Sequence, residues 1–499
     1  MRRLVPVLLL LAGPARADGE LKWGSDAQGG APYVFQDPMD PNHTIGFEVD
    51  VADALAARLG LRAHPVQGQW EELLELLGRG DFDVALNGIE VADEKKRVCL
   101  LSHPYYAASE RIAVRRNDAG APRTLSAMRG RRVGTLPGSL AERILLRAGA
   151  DVRTYSGGQG EIYDDLRLGR TDAVLLDGPI SRYYGEIEPS LEIVDGSFGE
   201  LQYAIAVRLN DAERLRQIDA ALDALAKDGT LRAIYEKWGL WNPETAALFH
   251  DPRPAAAGVA EAWEAWRAAV GKSPPFWERV RDRYPRMQPL FARGAALTLL
   301  VSLSSMALAI ALGVALALGR SFGPAPLRWL CTSYIEFVRG TPLLVQLIMI
   351  YFGLPELGVK LHPFTAGWLA LGLNYAAAEA ENYRAGLESV PAAQREAAWS
   401  LGLGRWQTIW YVVAPQAIRV SLPPVTNDFI ALLKDSSLVA LVTMTELDKT
   451  YMNLASSTRD HLGLGVVVAL WYLLLGLPFA RLARFTEERM SRKLRKVAA

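Results

Sequence analysis

The chain has 499 residues, and its Lys plus Arg and Asp plus Glu totals are equal at 55 each. That balance supplies no bulk field for nucleic acid, and the length sets a prior of two to four domains. The two cysteines, Cys99 and Cys331, exclude a disulfide framework and a cysteine-built metal cluster.

Apolar residues make up 50% of the chain, but charged residues crowd its first half and long uncharged runs fill its second. The split predicts a water-exposed domain followed by a membrane domain. Residues 1–17 read as a secretory signal: Arg2-Arg3, an apolar run from Leu4 to Ala12, then the small-x-small site Ala15-Arg16-Ala17. The apolar run is too short to span a bilayer, and the chain after Asp18 is expected outside. Residues 18–245 alternate strand-like pieces (Leu21–Gly24, Asp83–Asn87, Arg132–Thr135, Ala173–Asp177) with helix-like ones (Val49–Leu59, Trp70–Leu77, Leu215–Ala226). This is an α/β pattern, expected to carry largely parallel strands.

Residues 246–289 read as a linker broken by Pro252, Pro254, Pro274, Pro275, Pro285 and Pro289. Two short helices are expected there, carrying Trp263, Trp266 and Trp277, which suit either a membrane interface or a seat on the preceding domain. Residues 290–499 form an all-α membrane domain with five expected spans. The first, Ala295–Leu318, is uncharged and long enough for the ~30 Å hydrocarbon core. The second covers Trp329–Leu354 and includes Glu336 and Arg339; the third covers Leu361–Asn382. The fourth, Val412–Leu433, is broken by Arg419, Pro423, Pro424 and Asp428, and the fifth is Leu462–Ala480. Polar residues in the second and fourth are expected to face protein or a pore. Near the end of the third, Glu379 and Glu381 are expected to pair with Arg384 one turn away. Five spans put the C-terminus inside. The tail agrees, with Arg481, Arg484, Arg489, Arg492, Lys493, Arg495 and Lys496 against Glu487 and Glu488.

Between the third and fourth spans, Ser389–Pro415 is polar and helix-prone. Ser389 and Pro391 are start signals, and Gly402 and Gly404 are stop signals. A helix of about ten residues is roughly 15 Å long, too short to cross a bilayer, and is expected to lie against its inner face. No G-x-x-x-x-G-K-[ST] run occurs, so the chain has no phosphate-cradling loop of that kind.

These motifs carry two resemblances. Glu396-Ala397-Ala398, Gly402, Ile409 and Pro415 resemble the EAA loop of ATP-binding-cassette importer permeases, with Ala414 before Pro415 where Leu is usual. Tyr334–Gln346, Leu422-Pro423-Pro424 and Lys434–Leu438 point to the polar amino-acid branch of that family. The resemblance implies that Glu396, Ala397, Ala398 and Gly402 couple the chain to a separate ATPase subunit. It also implies a homodimeric pore in the bacterial inner membrane. The chain itself is then no enzyme, and binds no cofactor; ATP is used by the partner. In the first half, Gly46–Asp50, Trp70–Leu77, Gly80–Asp83, Ser102–Tyr106 and Gly169–Val174 resemble the family 3 periplasmic solute-binding proteins for polar amino acids. That family has two lobes with the ligand in the cleft between them.

By position in that family, Tyr33 stacks on the ligand and Trp70 lines the pocket. Ser139 after Gly138 holds the ligand α-carboxylate, and Asp177 receives its α-ammonium. Packing for Tyr33 and Trp70, and a helix cap for Asp177, are the competing roles. The family's carboxylate-clamping arginine aligns with Lys95, which brings charge without the planar fork. A family hydroxyl aligns with Glu90. A second acid in a closing cleft calls for a positive partner, so basic or amine-bearing amino acids are expected over acidic ones. Two other readings compete: a ligand-gated channel sharing the two-lobed fold, and an enzyme built on it. The first inserts its pore between the lobes, and the second needs no EAA stretch.

Overall fold

The computed structural model describes residues 19–498 except 157, 257, 259, 272 and 273, with side chains described as far as Phe485. The expected signal segment, residues 1–17, lies outside them, as do the side chains of the basic tail beyond that point. The chain divides into two compact units, the first holding the stretch up to Phe35 and Thr44–Lys272, the second Gln36–His43 and the chain from Ser273 onward.

The first unit is α/β and holds two large sheets. In one, the strand order is Arg62–Gln67, Glu20–Ser25, Val84–Ala85, Ala206–Val207, Leu100–Leu101. In the other it is Leu191–Ile193, Tyr106–Arg115, Ala173–Asp177, Arg132–Thr135, Asp151–Thr154, with Glu200–Tyr203 also pairing Tyr106–Arg115. The sheets are mixed rather than largely parallel. Strand Glu20–Ser25 runs parallel to both its neighbours, but Ala206–Val207 returns antiparallel to Val84–Ala85. Tyr106–Arg115 is antiparallel to all three of its partners. Its run YAASERIAV has no strict alternation because both faces are covered, a pattern from which strand direction cannot be read.

Helix ends obey local chemistry. Asp211, Asn242 and Thr124 each accept a backbone N–H from the first turn of the next element. Helix Leu73–Arg79 stops at Gly80, whose φ of +83° suits glycine. The core gathers Trp23, Phe35, Phe47, Tyr106, Tyr203 and Tyr235. Part of the expected linker belongs to this core. Helix Glu261–Val270 buries Trp263 and Trp266; the Trp266 ring lies 5.1 Å from Phe35, and its Nε1 donates to the Tyr183 carbonyl. Trp277, by contrast, is 76% exposed.

Apart from Gln36–His43, the second unit is built of helices among the described residues. Two helices are long and apolar enough to cross a membrane, Phe276–Phe322 and His461–Phe485. Ala325–Arg339 and Leu343–Glu356 make a third if counted as one span, bent by 105°. The break falls at Thr341-Pro342, where proline removes a backbone donor. Pro363–Glu388 and Ala414–Asp435 occupy the third and fourth expected positions, but neither is among the helices apolar enough to cross by length and composition alone. Helix Leu447–Thr458 is an element the hydropathy pattern did not predict. Glu446 caps it by accepting the N–H groups of Asp448 and Lys449, and also accepts the hydroxyls of Thr298 and Tyr472.

Candidate functional site

The site is a cleft where the ends of both sheets converge, lined by Asp26, Tyr33, Trp70, Glu71, Asn87, Glu90, Glu110, Ser139, Gln159, Asp177 and Tyr203, among others. The lining side chains leave about 60 Å³ between them. A cavity of this size holds a few waters, so any larger solute needs the walls to part.

Asp177 ends strand Ala173–Asp177. Its Oδ1 accepts the Ile180 N–H, capping the next helical turn, and its Oδ2 accepts the hydroxyls of Tyr33 (2.9 Å) and Tyr203 (2.7 Å). Cap and cleft roles therefore coexist in one carboxylate. Burial pushes its pKa up to about 6, against the pull of these donors. Tyr33 is buried, with its ring tilted on Phe47 and its hydroxyl at the cleft. Trp70 is half-buried, and its indole N–H donates to the Asn87 carbonyl.

Glu90 and Ser139 meet at the start of helix Leu140–Ala148. Ser139 Oγ accepts the Glu142 N–H and donates to the Leu136 carbonyl. The Gly138 N–H donates to Glu142 Oε2. Glu90, from the other sheet's side of the cleft, accepts the Leu140 N–H at 2.9 Å and pairs with Arg143 at 3.1 Å. Lys95 is not among the lining residues; its ammonium lies 5.5 Å from the centre of the Trp70 ring. Burial lowers the Lys95 pKa, and the charge on Glu90 acts the other way.

Sequence reasoning missed Asp26, Glu71, Glu110 and Arg143. Glu110 had a legible signal. It shares its strand phase with Ile112 and Val114, both fully buried, so an acid stands where the pattern calls for an apolar residue. It is the Cα partner of Asp177 across the antiparallel pair. Its Oε2 has no hydrogen-bond partner, and burial first, then Asp177 and Glu90, drive its pKa well up. Glu48 of the Gly46–Asp50 motif is a positioning residue. It accepts the Gly88 N–H at 2.7 Å and the Tyr105 hydroxyl, fixing the turn at the cleft, and burial pushes its pKa up to about 8. Gly88 has φ +61°, and a Cβ there would press on the Tyr33 ring at 3.1 Å.

In the second unit, helix Ala392–Ser400 ends at Gly402, with φ +82° and its N–H donating to the Trp399 carbonyl. The Ser389 hydroxyl serves the preceding helix instead, donating to the Gly386 carbonyl. Glu396 and Ala397 are exposed and Ala398 is buried, while Trp399, Leu401 and Trp406 stand 50%, 83% and 65% exposed. Glu381 pairs with Arg320 and Arg384 as expected, but Glu379 does not pair with Arg384: that guanidinium takes Glu388 as its other partner, and Glu379, five residues away from Arg384, is buried beside Gly313.

Comparison with known proteins finds two family matches. Bacterial extracellular solute-binding proteins, family 3, match over residues 21–240, and the binding-protein-dependent transport system inner membrane component matches over 283–492. The chain is 39% identical over 195 residues to a probable glutamine ABC transporter permease of Bacillus subtilis (strain 168), covering 39% of this chain and 90% of that protein. This chain belongs to the amino-acid ABC transporter permeases, with a family 3 solute-binding protein as its first half. The first half is 31% identical over 210 residues to the L-cystine-binding protein of Escherichia coli (strain K12), covering 42% of this chain and 78% of that protein. An ancestral arginine-binding protein bound to arginine aligns at 31% identity over 44% of this chain and 98% of its own, with a TM-score of 0.41. The chain is thus the substrate-binding and permease subunit of an importer for polar amino acids or related small polar solutes. The permease family places it in the inner membrane.

Proposed function

We propose that this subunit imports small cationic solutes, basic or amine-bearing amino acids among them. The observation that carries this is the charge of the cleft. Asp26, Glu71, Glu90, Glu110 and Asp177 line it, with no lysine, arginine or histidine among the described lining residues. At ~4 Å and an effective dielectric of about 20, an ionised acid without a cationic partner attracts a cation, or repels an anion, by roughly 4 kcal/mol before desolvation. A helix N-terminus returns only about 0.3–2 kcal/mol to an anion, so the acids decide the sign of the ligand.

The solute is captured outside and passed through a pore of two copies of the chain, each with five spans and its C-terminus inside. A separate ATPase docks on helix Ala392–Ser400, whose exposed Trp399, Leu401 and Trp406 suit a partner's groove. The chain does no chemistry of its own on the ligand. Reconstitution of the chain with its ATPase in lipid vesicles tests this reading: uptake of at least one labelled organic cation out of arginine, lysine and agmatine, with stimulated ATP hydrolysis, is expected. Uptake of glutamate or aspartate alone would refute it.

A further inference from the structure

We infer that the ligand is an organic cation without a free carboxylate, because Glu90 already occupies the anion position of the cleft. The inference rests on the reading of the cleft as a cation site. A solute bearing both an ammonium and a carboxylate needs donors for each. Besides the neutral side chains of Gln28, Asn87, Ser156 and Gln159, the lining offers an anion the start of helix Leu140–Ala148, and the donors there are engaged. Glu90 takes the Leu140 N–H, Glu142 takes the Gly138 N–H, and the Ser139 hydroxyl points to the Leu136 carbonyl. Arg143, the cation beside that helix start, pairs with Glu90 and Glu94. Lys95 stands outside the lining. The other helix end at the cleft, Gly158 before Gln159–Arg167, carries no side-chain cap, but it offers about half a positive charge against the acids that share the space.

The acids are distributed to suit more than one ammonium. Asp26 and Glu71 belong to the side built on strand Glu20–Ser25, and Glu110 and Asp177 to the side built on Tyr106–Arg115 and Ala173–Asp177. Glu110 and Asp177 are direct cross-strand partners, an arrangement that repels when both are ionised unless a cation lies between. Glu110 lines the cleft, is 1% exposed, and leaves Oε2 without a hydrogen-bond partner, so an acceptor is held ready there. A diamine, or an amine paired with a guanidine, matches acids on both walls.

The experiment uses matched pairs that differ only by a carboxylate. Calorimetry on the full chain in nanodiscs compares 1,5-diaminopentane with lysine, 1,4-diaminobutane with ornithine, and agmatine with arginine. The carboxylate-free member of at least one pair is expected to bind tenfold or more tightly than its amino acid. Amino acids that bind as tightly as or more tightly than their counterparts overturn this inference and leave the cation reading intact. Binding of neutral or acidic amino acids with no response to any of the six overturns both. Glu90→Thr vacates the Leu140 N–H and is expected to shift the preference toward the amino acids by tenfold or more. Glu90→Gln, which keeps a hydrogen-bond acceptor of the same size, controls for folding. An unchanged preference in a folded Glu90→Thr protein overturns the role given to Glu90.

Discussion

The two units keep their buried acids in different company. In the helical unit such acids are matched. Asp460 has Arg279 and the Tyr284 hydroxyl, Glu381 has Arg320 and Arg384, and Glu446 has two N–H groups and two hydroxyls; Glu379 beside Gly313 is the exception. In the cleft of the first unit five acids share one space with no cationic side chain in the lining, although Glu90 has Arg143 beside it and Asp177 has an N–H and two hydroxyls. A matched acid holds helices together, because low dielectric strengthens its contacts and makes its isolation costly. An acid left without a cation stores repulsion that a ligand can relieve. The crowding of several acids around one space, rather than burial, sets the cleft apart.

Breaking a matched pair should have the largest effect. Arg279→Ala strands the buried Asp460 carboxylate and is expected to cost about 3 kcal/mol of stability. Thermal unfolding in detergent measures it, and a Tm within about 1–2 °C of the parent protein would contradict the contrast between matched and unmatched acids. In the cleft, Asp177→Asn keeps the helix cap, since Asn caps as well as Asp. It should weaken cation binding about 100-fold, roughly 2.7 kcal/mol, with little loss of stability.

The same variant sharpens a pH test. With a pKa of about 6 in the empty cleft, Asp177 is protonated below that pH and must lose its proton to receive an ammonium. Cation affinity is therefore expected to fall as pH drops through about 6, by up to tenfold per unit, and Asp177→Asn should reduce that slope. For the empty protein the sign is reversed. The stability this group contributes is full below the ordinary carboxyl range near ~4 and is lost as pH rises through about 6. Glu110 shifts the same way and leaves part of the slope in the variant. An affinity independent of pH between about 5 and 7 would remove Asp177 from the site. The smallest energetic effect is expected at Gly402, where Val must adopt φ near +82° at a cost of about 1–2 kcal/mol. Gly402→Val should lower ATP hydrolysis driven by ligand while calorimetric affinity stays unchanged; loss of both together would place the fault in folding.

Hydropathy and punctuation carried much of the architecture. The positions of the apolar helices, the Gly402 stop and the motif-bearing turns could be read because each depends on neighbours in sequence. Strand direction could not, since Tyr106–Arg115 is covered on both faces and its antiparallel partners lie far along the chain. The linker tryptophans were ambiguous for a similar reason. Trp266 is apolar in any setting, and only Phe35, Tyr183 and Tyr184 decide where it packs.

Sequence by itself determined that Glu90 and Asp177 stand where a ligand-binding cleft is expected and that Lys95 replaces an arginine, because identity at a motif position is local information. Tertiary structure decided what those groups do. It turned Glu90 onto the Leu140 N–H, set Lys95 over Trp70 outside the lining, and brought Glu110 beside Asp177. Those outcomes depend on which donors and charges the fold places within a few ångströms, and electrostatic interaction falls off with distance in space, not with separation along the chain.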